Sequence, residues 1–97
     1  MYRVHFSFEY IWPRDLNDFE PLESFESLIN EAAKAHNCLV SGSGYGFGER
    51  DLSYDFEQEG DAKAFCVTVN QSKDIAERWS KISSERLHFE ALKVDED

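Results

Sequence analysis

The first residues whose types and spacing suggest chemistry are the carboxylates in the middle of the chain. Asp55 and Glu57 stand two apart in a run that alternates apolar and polar side chains, so both project from one face of a strand. At ~3.3 Å per residue the two carboxylates lie about 6.5–7 Å apart, a spacing at which one carboxyl donates a proton while the other accepts one. A second constellation joins His5 and His88 with Glu9 and Glu90. If the first and last strands are neighbours, these four side chains share an open sheet face, where a metal site or an acid–base pair is chemically possible. Neither set carries the rest of a catalytic pattern. Nothing implies a concave pocket around Asp55 and Glu57, the histidine spacing matches no ligand motif, and no nucleophile elbow occurs. The expectation is therefore no catalytic residue, no metal ligand and no bound cofactor.

Two further motifs fail on their own spacing. The run Asp55-Phe56-Glu57-Gln58-Glu59-Gly60-Asp61 starts like a calcium-binding EF-hand loop. That loop wants Asp or Asn at its third and fifth positions and Glu at its twelfth; here they are Glu57, Glu59 and Cys66. Gly42, Gly44, Gly46 and Gly48 occupy every second position of a short stretch. A dinucleotide or kinase loop requires G-x-G-x-x-G, but the sixth position is Phe47 counting from Gly42 and Glu49 counting from Gly44. No Gly-Lys pair completes a Walker loop, and the run follows a helix rather than opening one. Gly44-Tyr45-Gly46-Phe47 resembles the centre of the RNP1 motif of RNA-recognition domains. Ser43 precedes it where a basic residue belongs, Gly48 and Glu49 follow where an aliphatic one belongs, and the match opens the second strand rather than lying on the third.

Charge points the same way. The 97 residues carry 20 acids against 10 bases, a net −10. Nucleic-acid binders draw most of their affinity from neutralising phosphates, so this balance excludes that class and adsorption to anionic membrane as well. Half of the excess lies in residues 49–61, where Glu49, Asp51, Asp55, Glu57, Glu59 and Asp61 face Arg50 alone. Such a patch fits a basic protein partner reached by electrostatic steering, as in the small acidic proteins that inhibit nucleases. The start of the chain reads as a strand with no secretory signal, and no window is apolar enough to span a membrane. Cys38 and Cys66 follow no CxxC spacing, which favours reduced thiols in a cytoplasmic protein.

The elements that must position these residues follow from periodicity. Tyr2, Val4, Phe6, Phe8, Tyr10 and Trp12 alternate with Arg3, His5, Ser7 and Glu9, which predicts a half-buried strand ended by Pro13. Leu22, Phe25, Leu28, Ile29, Ala32 and Ala33 recur at helical spacing, with Pro21 in the first turn and Glu23, Glu26, Asn30, Glu31 and Lys34 on the outer face. His36 and Asn37 end that helix. A second strand starts at residues 38–40, runs through the glycines and continues over 50–57, with Asp51, Ser53, Asp55 and Glu57 outward. Residues 58–61 read as a turn around Gly60, residues 62–70 as a third strand carrying Cys66, residues 72–84 as a helix capped by Ser72, and residues 86–94 as a last strand. The acidic end, residues 95–97, reads as frayed.

The expected architecture is one α+β domain over residues 1–97. Its order, β-α-β-β-α-β, is that of the ferredoxin-like plait: a four-stranded antiparallel sheet, order 4-1-3-2, with two helices on one face and the glycine strand at an edge. The expected function is a non-enzymatic interaction domain that takes a basic partner through Tyr45, Phe47, Glu49, Asp51, Asp55, Glu57, Glu59 and Asp61. The alternatives are a ligand-sensing or homodimerising domain, pairing through the edge strand or the open face, and a small enzyme built on the histidines and acids.

Overall fold

The computed structural model describes residues 1–9, 20–46, 49–83 and 85–93. Its elements are β1 (Tyr2–Glu9), α1 (Glu20–Ala35), β2 (Val40–Gly46), β3 (Glu49–Phe56), α2 (Glu59–Gln71), α3 (Lys73–Ser80) and β4 (Ala91–Lys93). The strands form one antiparallel sheet in the order β2-β3-β1-β4, so the expected plait is present with the glycine-bearing β2 at an edge, but the place beside β1 expected for residues 62–70 is taken by β3. The two halves of the expected second strand are separate strands, paired so that Gly46 lies opposite Glu49. Tyr10, Trp12 and Pro13 lie outside the described residues.

Alternation decides which sheet face is covered. Val4 and Phe8 on β1 and Leu52, Tyr54 and Phe56 on β3 are buried, whereas Arg3, His5, Ser7 and Glu9 are exposed. The helices supply Leu22, Phe25, Ile29 and Ala33 from α1, Ala62, Phe65, Cys66 and Val69 from α2, and Ile75 and Trp79 from α3. Aromatic rings dominate this layer. Phe6 stacks on Phe89 with centroids 4.5 Å apart, and Phe8 meets Trp79 edge-on at 5.1 Å. Each fully buried side chain of this size contributes roughly 1.5–3 kcal/mol by area.

Residues 62–70 are the largest departure from the sequence expectation: they form α2, not a strand. Ala62, Phe65, Cys66 and Val69 fall three and four apart and are all buried, a helical stripe that the β-branched Val67, Thr68 and Val69 disguise as alternation. Glu59 and Asp61 belong to the first turn of α2, where acids suit the positive end of the helix dipole; Gly60 marks no hairpin. Cys66 is accordingly a helix residue. Ser72 ends α2 in an extended conformation and caps α3, its hydroxyl accepting the Ile75 N–H at 3.2 Å.

α1 ends as its sequence implies. Asn37 takes a left-handed conformation (φ 63°), Cys38 N–H donates to Ala33 C=O at 3.0 Å and Asn37 N–H to Lys34 C=O at 3.2 Å, a Schellman closure. The last strand is shorter than expected. The Asn70 amide clamps Phe89, donating to its C=O at 2.9 Å and accepting its N–H at 2.7 Å, and Trp79 Nε1–H donates to Glu85 C=O at 2.7 Å. These side-chain bonds hold the segment before β4 in place of a longer ladder.

Candidate functional site

The uncovered face of the sheet gathers most of the sequence-selected residues. Register places Arg3, His5, Ser7 and Glu9 of β1 opposite Asp55, Ser53, Asp51 and Glu49 of β3, and these opposite Val40, Gly42, Gly44 and Gly46 of β2. Three of the predicted acids, Glu49, Asp51 and Asp55, therefore line one face of a central strand. The glycines share that face, which β2 leaves bare. A Cβ at Gly42 would meet Ser53 Oγ at 3.2 Å, whereas one at Gly44 would meet nothing within 4 Å.

The face is electrically graded. At one end Arg3 holds Asp55 through two bonds, Nε to Oδ1 at 2.7 Å and Nη2 to Oδ2 at 3.2 Å; the bond to Asp55 raises the guanidinium's pKa further. Leu92 lies opposite Arg3, and Val40 lies beside Asp55, so this end is neutral and partly apolar. In the middle His5 Nε2 approaches Asp51 Oδ1 at 3.7 Å. At the far end Glu9 lies directly opposite Glu49, and among the described residues neither has an ion-pair partner. Like charges directly opposed across strands are unfavourable; at ~6 Å in water the repulsion is roughly 0.7 kcal/mol.

The remaining predicted residues disperse. Glu57 is exposed just beyond β3, Glu59 pairs with Lys63 one turn along α2, and Asp61 lies on the same helix turn. The bond to Lys63 lowers the Glu59 pKa and raises that of Lys63. The acids are thus not one patch beside an edge hairpin, because the residues expected to turn there open a helix instead. Tyr45 occupies a β2 register position opposite Arg50. Phe47 lies outside the described residues. His88 precedes β4 and is exposed, while the β1–β4 register extends only from Tyr2 to Val4. Among the described residues no three His, Cys, Asp or Glu side chains converge on a metal-sized site.

Two polar pairs were not visible in the sequence pattern. Glu26 and Asn30, placed on the solvent side of α1 by periodicity, reach down to β3. Arg50 Nε donates to Glu26 Oε2 at 3.0 Å with a second, shorter bond from Nη2, and Tyr54 OH donates to Asn30 Oδ1 at 2.7 Å. Burial, with Glu26 close by, pushes the Tyr54 phenol far above its usual pKa. The only base in the acidic stretch thus bonds to Glu26 of α1, on the helix side of the sheet. The signal for this was Arg50 itself, which shares the parity of the apolar Leu52, Tyr54 and Phe56.

Among the described residues, the helix layer is grooved in at least two places. One is lined by Glu20, Ser24, Asp74, Glu77, Arg78 and Lys81, another by Glu23, Glu26, Asn30, Glu31, Lys34 and Arg50. Arg78 Nε donates to Ser24 Oγ across the first at 2.8 Å, tying α3 to α1. Both thiols are free; burial, with Glu90 nearby, pushes Cys66 up to about 11, and burial also raises Cys38.

No family model and no curated protein matches the chain. Among solved structures it is similar to a dimeric ferredoxin-like protein from an uncultured marine organism, with TM-score 0.65 and 9% identity over 100% of this chain and 98% of that one. It is also similar to the structural-genomics protein YJCS, with TM-score 0.51 and 17% identity over 97% and 98%. These likenesses establish the ferredoxin-like α+β fold over the length of the chain. Among the described residues, no helix is long and apolar enough to cross a membrane.

Proposed function

We propose that this chain is a non-enzymatic association domain whose open sheet face takes a basic protein partner. The observation that supports this reading is the acidic end of that face, where Glu9, Glu49 and Asp51 stand together and Arg50 is turned away to Glu26. A lysine- or arginine-rich surface docked there relieves the Glu9–Glu49 repulsion. The net charge of −10 steers such a partner inward. The two free thiols support a reducing, cytoplasmic setting.

The test is binding of a short oligo-arginine peptide at low salt. The double variant Glu49→Lys, Asp51→Lys is compared with Glu23→Lys, Glu31→Lys on α1, which changes net charge equally. Loss of binding in the first pair alone supports the reading; equal losses contradict it, because then only net charge matters.

A second reading, self-association, is favoured by the dimeric state of the marine neighbour and by the exposed β2 edge. The two readings use different surfaces and are compatible.

A further inference from the structure

We propose that β2 is a strand-pairing edge whose occupant is β2 of a second copy of this chain, joined antiparallel about Ser43 into one eight-stranded sheet. This rests on the self-association reading and assigns its surface.

The two edges of the sheet are finished differently. Natural edge strands avoid unwanted pairing by being short, by carrying charge or proline, or by being covered. β4 follows that rule: it has three residues, includes Lys93, and is preceded by a segment whose Phe89 backbone is already bonded to Asn70. β2 does not. It has seven residues, VSGSGYG, with no charge and no proline, and it packs chiefly on β3. It lies within residues 35–48, fourteen positions without an Asp, Glu, Lys or Arg in a chain where 31% of residues are charged. Val40, its first residue, is 60% exposed, and Leu39 beside it is 53% exposed. Gly44 has open space where a side chain would fit, so crowding does not explain its lack of one.

Charge then selects the occupant and the mode. Docking two open faces brings Glu9, Glu49, Asp51 and Asp55 of each copy together, eight carboxylates against two Arg3 guanidiniums. Pairing two β2 edges brings together no charge at all. The two-fold register about Ser43 sets Gly42 opposite Gly44, Ser41 opposite Tyr45, and the exposed Val40 opposite Gly46 of the other copy. Alternate N–H and C=O groups along the outer edge then find partners. In such a pairing the two-fold axis is normal to the sheet, so both helix layers lie on one side and both open faces form one continuous acidic surface on the other. The interface is smaller than the ~1,200 Å² of standard complexes, so it dissociates on dilution. Because each copy carries −10, added salt screens their repulsion and strengthens the dimer.

The experiment is sedimentation over a wide concentration range at 0.05 and 0.3 M salt, for the native chain and for Ser43→Lys. That substitution places two lysines face to face at the axis while leaving an exposed monomer position. The expected result is a native dimer that tightens with salt and is weakened by roughly tenfold or more in Ser43→Lys, with unchanged circular dichroism. Amide exchange on the native chain serves if the variant does not fold: protection of residues 41–46 must rise with protein concentration. A native chain that stays monomeric throughout overturns both this inference and self-association. A dimer that Ser43→Lys leaves unweakened, or one whose β2 amides gain no protection, overturns the inference and leaves self-association standing.

Discussion

Replacing Glu26 by Gln removes the carboxylate that holds Arg50 beneath α1. The Arg50 and Glu26 side chains are 9% and 14% exposed, so the pair is largely desolvated. Breaking a fully buried pair from one side costs about 3–5 kcal/mol, because the remaining charge is stranded. Two features reduce this: the groove along α1 admits water beside Glu26, and Arg50 has further interactions. The expected loss is about 2–3 kcal/mol, which for a domain of this size lowers Tm by about 10–20 °C. Replacing both partners, Glu26→Leu with Arg50→Met, strands no charge and is expected to cost less than about 1 kcal/mol. Urea unfolding of Glu26→Leu, Arg50→Met and the double variant completes a thermodynamic cycle, with Glu26→Gln measured beside it. A cost below ~0.5 kcal/mol for Glu26→Gln, or a double variant whose cost equals the sum of the singles, would refute the assignment of this pair as the desolvated clamp of α1 on β3.

Burial holds the Cys66 thiol at about 11, so it keeps its proton in the fold above the pH at which the unfolded chain releases it. Stability therefore falls as pH rises from about 9 towards 11, and Tyr54, also raised, acts in the same direction; thermal unfolding against pH measures the slope, and Cys66→Ser should flatten part of it. At pH 8 a thiol reagent is expected to modify native Cys66 far more slowly than the unfolded chain, which absorbance on reaction with a disulfide reagent reads directly. Asn70→Ala frees both backbone groups of Phe89; since Asn70 is exposed enough for water to replace part of the loss, the expected cost is about 1–2 kcal/mol by urea unfolding. Gly44→Ala meets nothing within 4 Å and is expected to stabilise the monomer by about 0.4–1 kcal/mol through the unfolded state, measured in dilute solution.

Much of the sheet was legible because alternation along β1 and β3 is uninterrupted and Asn37 closes α1 in a way its side chain favours. Residues 59–71 were not, because two periods fit them. Lys63, Phe65, Val67 and Val69 alternate convincingly, yet the stripe Ala62, Phe65, Cys66, Val69 is the one that meets the core. Gly60 and the β-branched residues favoured the strand, while the first-turn acids Glu59 and Asp61, which favoured the helix, were read as part of an acidic patch. A strand over 62–70 requires a hairpin at 58–61 with Glu59 and Asp61 beside Asp55; with α2 in its place, β3 pairs with β2 and those two acids belong to another element. The Glu26–Arg50 and Asn30–Tyr54 pairs escaped for a different reason: polar residues at a helix flank reveal their partners only once packing fixes which strand lies beneath. Asp51 and Asp55 of β3 are placed on the outward face by alternation alone; Glu49 joins them only through the observed start of β3.

Whether the acidic end of the open sheet face receives a basic partner is decided by an amide-resolved titration with an oligo-arginine peptide at two salt concentrations. The expected shifts concentrate at Ser7, Glu9, Glu49 and Asp51 and diminish as salt rises. Shifts of similar size on the acids of α1 and α2, or a map that avoids β1 and β3, would contradict that reading.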